Sequence, residues 1–88
     1  MADPIRDQVR NFIVTNFLFG DEGRLPQDTD SLLESGIVDS TGVLELVDFL
    51  EADLGVTVAD HETIPANLDS IANLTAFATR KRSEALVA

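Results

Sequence analysis

The chain holds few side chains that could do chemistry, and the one that stands out is Ser40, in the stretch Gly36-Ile37-Val38-Asp39-Ser40. There is no cysteine and a single histidine, His61. That excludes disulfides, thiolate metal sites and a thiol nucleophile, and most histidine-based metal sites with them, so neither a catalytic nor a metal residue is assigned. A hydrolytic Ser40 would need a base to activate its hydroxyl. Nothing in the spacing brings His61 to it, and His61 lies between Asp60 and Glu62 as a surface residue does. Two other motifs fail on their own chemistry. Asp28-Thr29-Asp30-Ser31-Leu32-Leu33 begins like a calcium loop but puts leucine where an oxygen ligand and then a glycine are required, which leaves its acids as loop solubilisers. Asn73-Leu74-Thr75 matches a glycosylation sequon but falls inside a segment that reads as helix.

An apolar helical repeat begins at Val43, so Asp39 or Ser40 stands near the N-cap of a helix. The hydroxyl is then at the surface, beside unpaired backbone N–H groups and the positive end of the helix dipole, where a covalently attached phosphate is well placed. Serine is also a common cap on its own account. One turn further, Leu44, Asp48 and Glu51 share the side away from the apolar stripe, with Glu45 beside them. One leucine framed by acids is either a docking surface or an ordinary solvated face.

The elements that must position these residues follow from period and punctuation. Asp3-Pro4 is a helix start, and Ile5, Val9, Phe12, Ile13 and Phe17 recur at helical spacing, which predicts a first helix over about Pro4 to Leu18. Residues 19–31, with two glycines and a proline, predict a long loop, and Asp30 to Glu34 could add one helical turn before Gly36. A second helix is predicted over Ser40 to Leu54, with Val43, Val47, Leu50 and Leu54 inward, Leu46 beside them, and Gly55 as its stop. Val56-Thr57-Val58 reads as an extended connector, and Asp60 to Leu68 as a short helix or turn. Ser70 caps a last helix with Ile71, Leu74, Phe77 and Ala78 inward and Arg80, Lys81 and Arg82 in its final turns. The expectation is all-α: a small bundle of three long helices plus one short helix, with a long loop between helices one and two.

Eighty-eight residues, 44% apolar, fit one domain over 1–88, with a core over about 4–82 and a frayed tail at 83–88. No apolar run reaches the roughly 18 residues of a membrane span and the N-terminus lacks an apolar signal core, so a cytoplasmic monomer with no transmembrane segment is expected. The net charge is −10 at pH 7, and from Leu25 to Thr79 there is no Lys or Arg at all. Such a field disfavours nucleic acid and favours proteins with basic docking patches, although charge of this size also serves solubility.

The segment SLLESGIVDSTGVLELVDFLEADLGV, Ser31 to Val56, resembles the signature of acyl carrier proteins and related carrier domains. In that signature Gly-x-x-Asp-Ser precedes the second helix. Leu32, Gly36, Asp39, Ser40, the Glu45-Leu46 pair and Gly55 stand in matching register, and the similarity extends more weakly over nearly the whole chain, including ANLDSIANLTAFA at the last helix. The resemblance implies a discrete carrier rather than an enzyme. Ser40 would cap the helix and also take 4′-phosphopantetheine from coenzyme A through a phosphopantetheinyl transferase, with Asp39 assisting recognition and metal placement during transfer. It implies an acyl or aminoacyl thioester as cargo, delivered by a loading ligase and passed to acyl-transferring enzymes. Thr41, Leu44, Glu45, Asp48 and Glu51 would then be partner-facing. The pattern departs from the family at Thr41 and Gly42, where an apolar residue and then an acid often follow the serine. That departure points to a specialised pathway over bulk fatty-acid synthesis, and Gly42 suggests a looser helix start. The competing expectation is an unmodified acidic helical adaptor for basic partners.

Overall fold

In the computed structural model, which describes residues 3–87, helix α1 (Pro4–Phe17) begins where Asp3 accepts hydrogen bonds from the Ile5 and Arg6 amides at 3.1 and 3.3 Å. Pro4 fills the first helical position, whose N–H has no intrahelical acceptor to lose. Three further helices follow: α2 (Ser40–Ala52), the four-residue α3 (Pro65–Leu68) and α4 (Ile71–Val87). Single 3-10 turns lie at Glu22–Arg24 and Asp60–Glu62. The described residues contain no strand, and the fold is all-α with three long helices and one short one, as the periodicity predicts. Val56 to Val58 connects α2 to the Asp60–Glu62 turn without regular secondary structure.

Helix α4 packs on α1 and on α3. The Ser70 hydroxyl caps it by accepting the Asn73 amide at 3.0 Å, and Ile71, Leu74, Phe77 and Ala78 are all buried. It remains helical through Val87, across residues that the sequence assigned to a tail; Ala88 lies outside the described residues.

Helix α2 is two residues shorter than the apolar repeat suggests. Leu46, Leu50 and, just past its end, Leu54 are buried as that repeat predicts, but the helix is rotated so that its inward face is shifted toward Gly42 and Phe49. Gly42, Leu46, Phe49 and Leu50 are buried, whereas Val43 and Val47 are only half-buried. The reason is aromatic. Phe49 stacks on Phe12 of α1 with ring centroids 4.4 Å apart, and Phe12 meets Phe17 edge-on at 5.8 Å, so α2 rolls toward α1 until its phenylalanine finds a partner. Gly55, with φ of 69°, then reverses the chain so that the Val56 amide reaches the Leu50 carbonyl at 3.1 Å.

The long connection between α1 and α2 is tied down at both ends of its apolar anchors, Leu32 and Val38, which are buried. The Asp28 carboxylate pairs with Arg6 of α1, and its carbonyl accepts the Ala72 amide of α4 at 2.8 Å. Asp30 accepts the Gln27 amide at 3.0 Å. The acids of this loop are therefore staples as well as solubilisers. Residues 32–36 make one turn, in which the Ser35 amide reaches the Ser31 carbonyl four residues back at 3.1 Å, and it closes at Gly36 with φ of 78°. Across from them Asp69 holds the loop: its carboxylate accepts the Ser31 hydroxyl at 2.6 Å and the Leu33 amide at 2.9 Å, and its carbonyl accepts the Leu32 amide at 2.7 Å.

Candidate functional site

Ser40 is exposed and is the first residue of α2, but it does not cap the helix. Asp39 does, its carboxylate accepting the Gly42 amide at 2.7 Å while its carbonyl accepts the Val43 amide at 3.0 Å. This corrects the expectation that Ser40 serves both purposes. The Ser40 hydroxyl has no hydrogen-bond partner among the described residues, and the Ser40 and Thr41 amides have no acceptor there either. A free oxygen therefore stands at the positive end of a 13-residue helix, beside unpaired donors.

Ser40 also lines a cleft of about 230 Å³. One wall comes from the loop and α2, with Leu32, Leu33, Val38 and Val43; the other comes from Thr63, Ile64, Pro65, Leu68 and Asp69. Sequence reasoning missed that second wall. Its signal was Ile64, a large apolar side chain outside any helical repeat, which is 44% exposed. Further back, Glu62 accepts the Ala59 amide at 3.1 Å and the Lys81 ammonium at 2.9 and 3.1 Å, which pins this segment to α4. The Ala59 amide first, and then Lys81, hold the Glu62 carboxyl below its ordinary pKa.

The structure places Thr41, Leu44, Glu45, Asp48 and Glu51 on the exposed side of α2, and Leu44 is 64% exposed. Thr41, Leu44, Glu45 and Asp48 form a continuous outward strip, while Glu51 lies at its margin and accepts the Val58 amide at 3.3 Å. Gly42 faces the opposite way. A Cβ there would lie 2.9 Å from the Phe17 ring, so the glycine that looked like a loosening of the helix start is the residue that lets α2 approach α1. His61 is exposed on its 3-10 turn and has no place in the cleft lining. Among the described residues no group of His, Asp and Glu could hold a metal ion, and no helix is long and apolar enough to cross a membrane.

No family model matches the chain. It is similar to PigG, a probable acyl carrier protein from Serratia sp. (strain ATCC 39006), at 33% identity over 79 residues, which cover 90% of each chain. With that identity over nearly its full length, and a helical bundle presenting a free serine after an aspartate, the chain belongs to the acyl carrier protein family and is a carrier rather than a catalyst.

Proposed function

We propose that Ser40 is the attachment site of a 4′-phosphopantetheine arm, and that the protein presents an acyl or aminoacyl group to enzymes that dock on the outward strip of α2. One observation carries the reading: the Ser40 hydroxyl is exposed and uncommitted at the start of α2 because Asp39 has taken the cap. The residues fit the group. The oxygen is open to a large enzyme, a phosphate on it would meet the unpaired amides of the helix end, and the adjoining cleft offers an apolar surface against which an attached chain can lie.

In the transfer, the Ser40 oxygen attacks the phosphorus of coenzyme A that bears the pantetheine. A new O–P bond forms, the bond to the nucleotide phosphate breaks, adenosine 3′,5′-bisphosphate leaves, and the hydroxyl proton passes to a base of the transferase. When bound, the group supplies the thiol that this cysteine-free chain lacks, on which an acyl group is held as a thioester. The chain's own residues present it. Asp39 fixes the start of the helix, Leu44 gives an apolar contact, and Glu45 and Asp48 attract basic patches on a transferase, a loading ligase or an acyl-transferring enzyme.

Incubation with coenzyme A, Mg²⁺ and a phosphopantetheinyl transferase, read by mass spectrometry, tests the reading. One arm's mass should be gained by the parent and not by Ser40→Ala. No gain with any of several competent transferases would sink the proposal and leave the unmodified adaptor.

A further inference from the structure

We propose that Gly42 and Phe17 are positioning residues for the modification of Ser40: the close approach of the Phe17 ring to the Gly42 backbone fixes where the first turn of α2, and with it the Ser40 hydroxyl, sits. The inference rests on the reading of Ser40 as the attachment site. It begins with a residue that local structure does not explain. Gly42 lies inside a helix with no positive φ, where alanine is the better helix former, so backbone conformation gives no reason for glycine.

Space gives one. A Cβ at position 42 would lie 2.9 Å from Phe17 Cε1, 3.0 Å from Val38 Cγ1 and 3.3 Å from Asp39 Oδ1, all short of the 3.4 to 4 Å of ordinary contact. None of the three has an easy retreat. Phe17 is held edge-on by Phe12, which is itself stacked on Phe49. Val38 is buried, and its amide is bonded to the Leu32 carbonyl at 3.1 Å. Asp39 is engaged with the Gly42 amide.

Helix α2 is thus clamped to α1 at two points, Phe49 on Phe12 and Gly42 against Phe17, and these two points set its tilt. A side chain at position 42 relieves its overlap by lifting the first turn. That turn contains the amide that Asp39 caps, and it starts at Ser40. Of the outward strip only Thr41 lies in that turn, with Leu44, Glu45 and Asp48 beyond it, so docking is disturbed less than the aim of the nucleophile.

The test compares the parent, Gly42→Ala, Phe17→Leu and the double variant as substrates of one transferase with coenzyme A, alongside amide NMR spectra of the unmodified proteins. For Gly42→Ala, kcat should fall about tenfold while KM changes less than about threefold, as expected for a displaced nucleophile on an intact docking face. The amides of Ser40 to Val43 should shift. Phe17→Leu, which removes the opposing ring and its Cε1, should return the double variant to within about threefold of Phe17→Leu alone. Loading of Gly42→Ala at the parent rate, a loss confined to KM, or a double variant no better than Gly42→Ala each overturns the proposal. If Gly42→Ala fails to fold by circular dichroism, the double variant must fold and load; a double that is also unfolded overturns it equally. A parent that never gains mass removes the attachment reading instead, and the amide shifts and their reversal in the double variant still decide whether Phe17 places the start of α2.

Discussion

Asp39 and Ser40 divide the start of α2 between them: the Asp39 carboxylate holds the Gly42 amide at 2.7 Å, and the neighbouring hydroxyl is left without a partner among the described residues. Their substitutions should therefore separate. Asp39→Ala removes a cap and should lower stability by about 1 kcal/mol in urea unfolding, with Asp39→Asn losing less. Ser40→Ala should stay within about 0.5 kcal/mol of the parent, because an exposed, unbonded hydroxyl holds nothing together. A large loss of stability on Ser40→Ala would show that the hydroxyl is engaged after all.

The outward strip should act on encounter and leave folding alone. Glu45→Lys and Asp48→Lys should each reduce transferase kcat/KM about two- to fivefold at low salt, the size of an exposed ion pair, and flatten its dependence on ionic strength. Circular dichroism should not change. Kinetics indifferent to both charge reversals and to salt would assign the acidic face to solubility.

Glu62 should make stability depend on pH with a definite sign. Its carboxyl is held below the ordinary value of 4.5, by the Ala59 amide and then by Lys81. A depressed carboxyl contributes its full stabilisation above the unfolded value and loses it as pH falls through 4.5 toward the folded value. The parent should thus exceed Glu62→Gln in stability at pH 7, and the gap should narrow below about pH 4.5. Urea midpoints of both proteins across pH 3 to 8, set by buffer, check this, and a constant gap would contradict it.

Asp69 is the residue through which the loop and the α3 side of the cleft hold each other. Asp69→Ala removes the acceptor of the Ser31 hydroxyl and of the Leu33 amide and should lower stability by about 1 to 2 kcal/mol. Hydrogen exchange at the Leu33 amide should quicken in this variant while the α1 and α4 amides keep their relative protection. Unchanged exchange at Leu33 would mean that water serves the amide equally well.

The helices were legible because amphipathic period, Asp3-Pro4 and Ser70 are local signals, the last two standing at the boundary they mark, while Gly55 turns the chain three residues past the end of α2. The rotation of α2 was not. It depends on Phe49 meeting Phe12 and on Gly42 yielding to Phe17, and a helical wheel of α2 alone contains neither partner. The loop staples were hidden for a similar reason, since the Arg6 pairing with Asp28 and the Asp69 bond to Ser31 join residues 22 and 38 positions apart and leave no periodic trace. Ser40 itself stood out only through the resemblance carried by Ser31 to Val56, since Asp39-Ser40 before an apolar repeat suits an ordinary cap as well. The facing wall from Thr63 to Asp69 became visible only once α3 was seen folded across it.

Phe12 and Phe17 meet α2 from its inner side, whereas Thr41, Leu44, Glu45 and Asp48 are exposed and their side chains make no hydrogen bond among the described residues. Such a face is free to drift. If it is the docking face proposed above, its letters can be rewritten for new clients with little retuning of the scaffold beneath, whereas the glycine and the rings on the hidden side must change together or stay as they are.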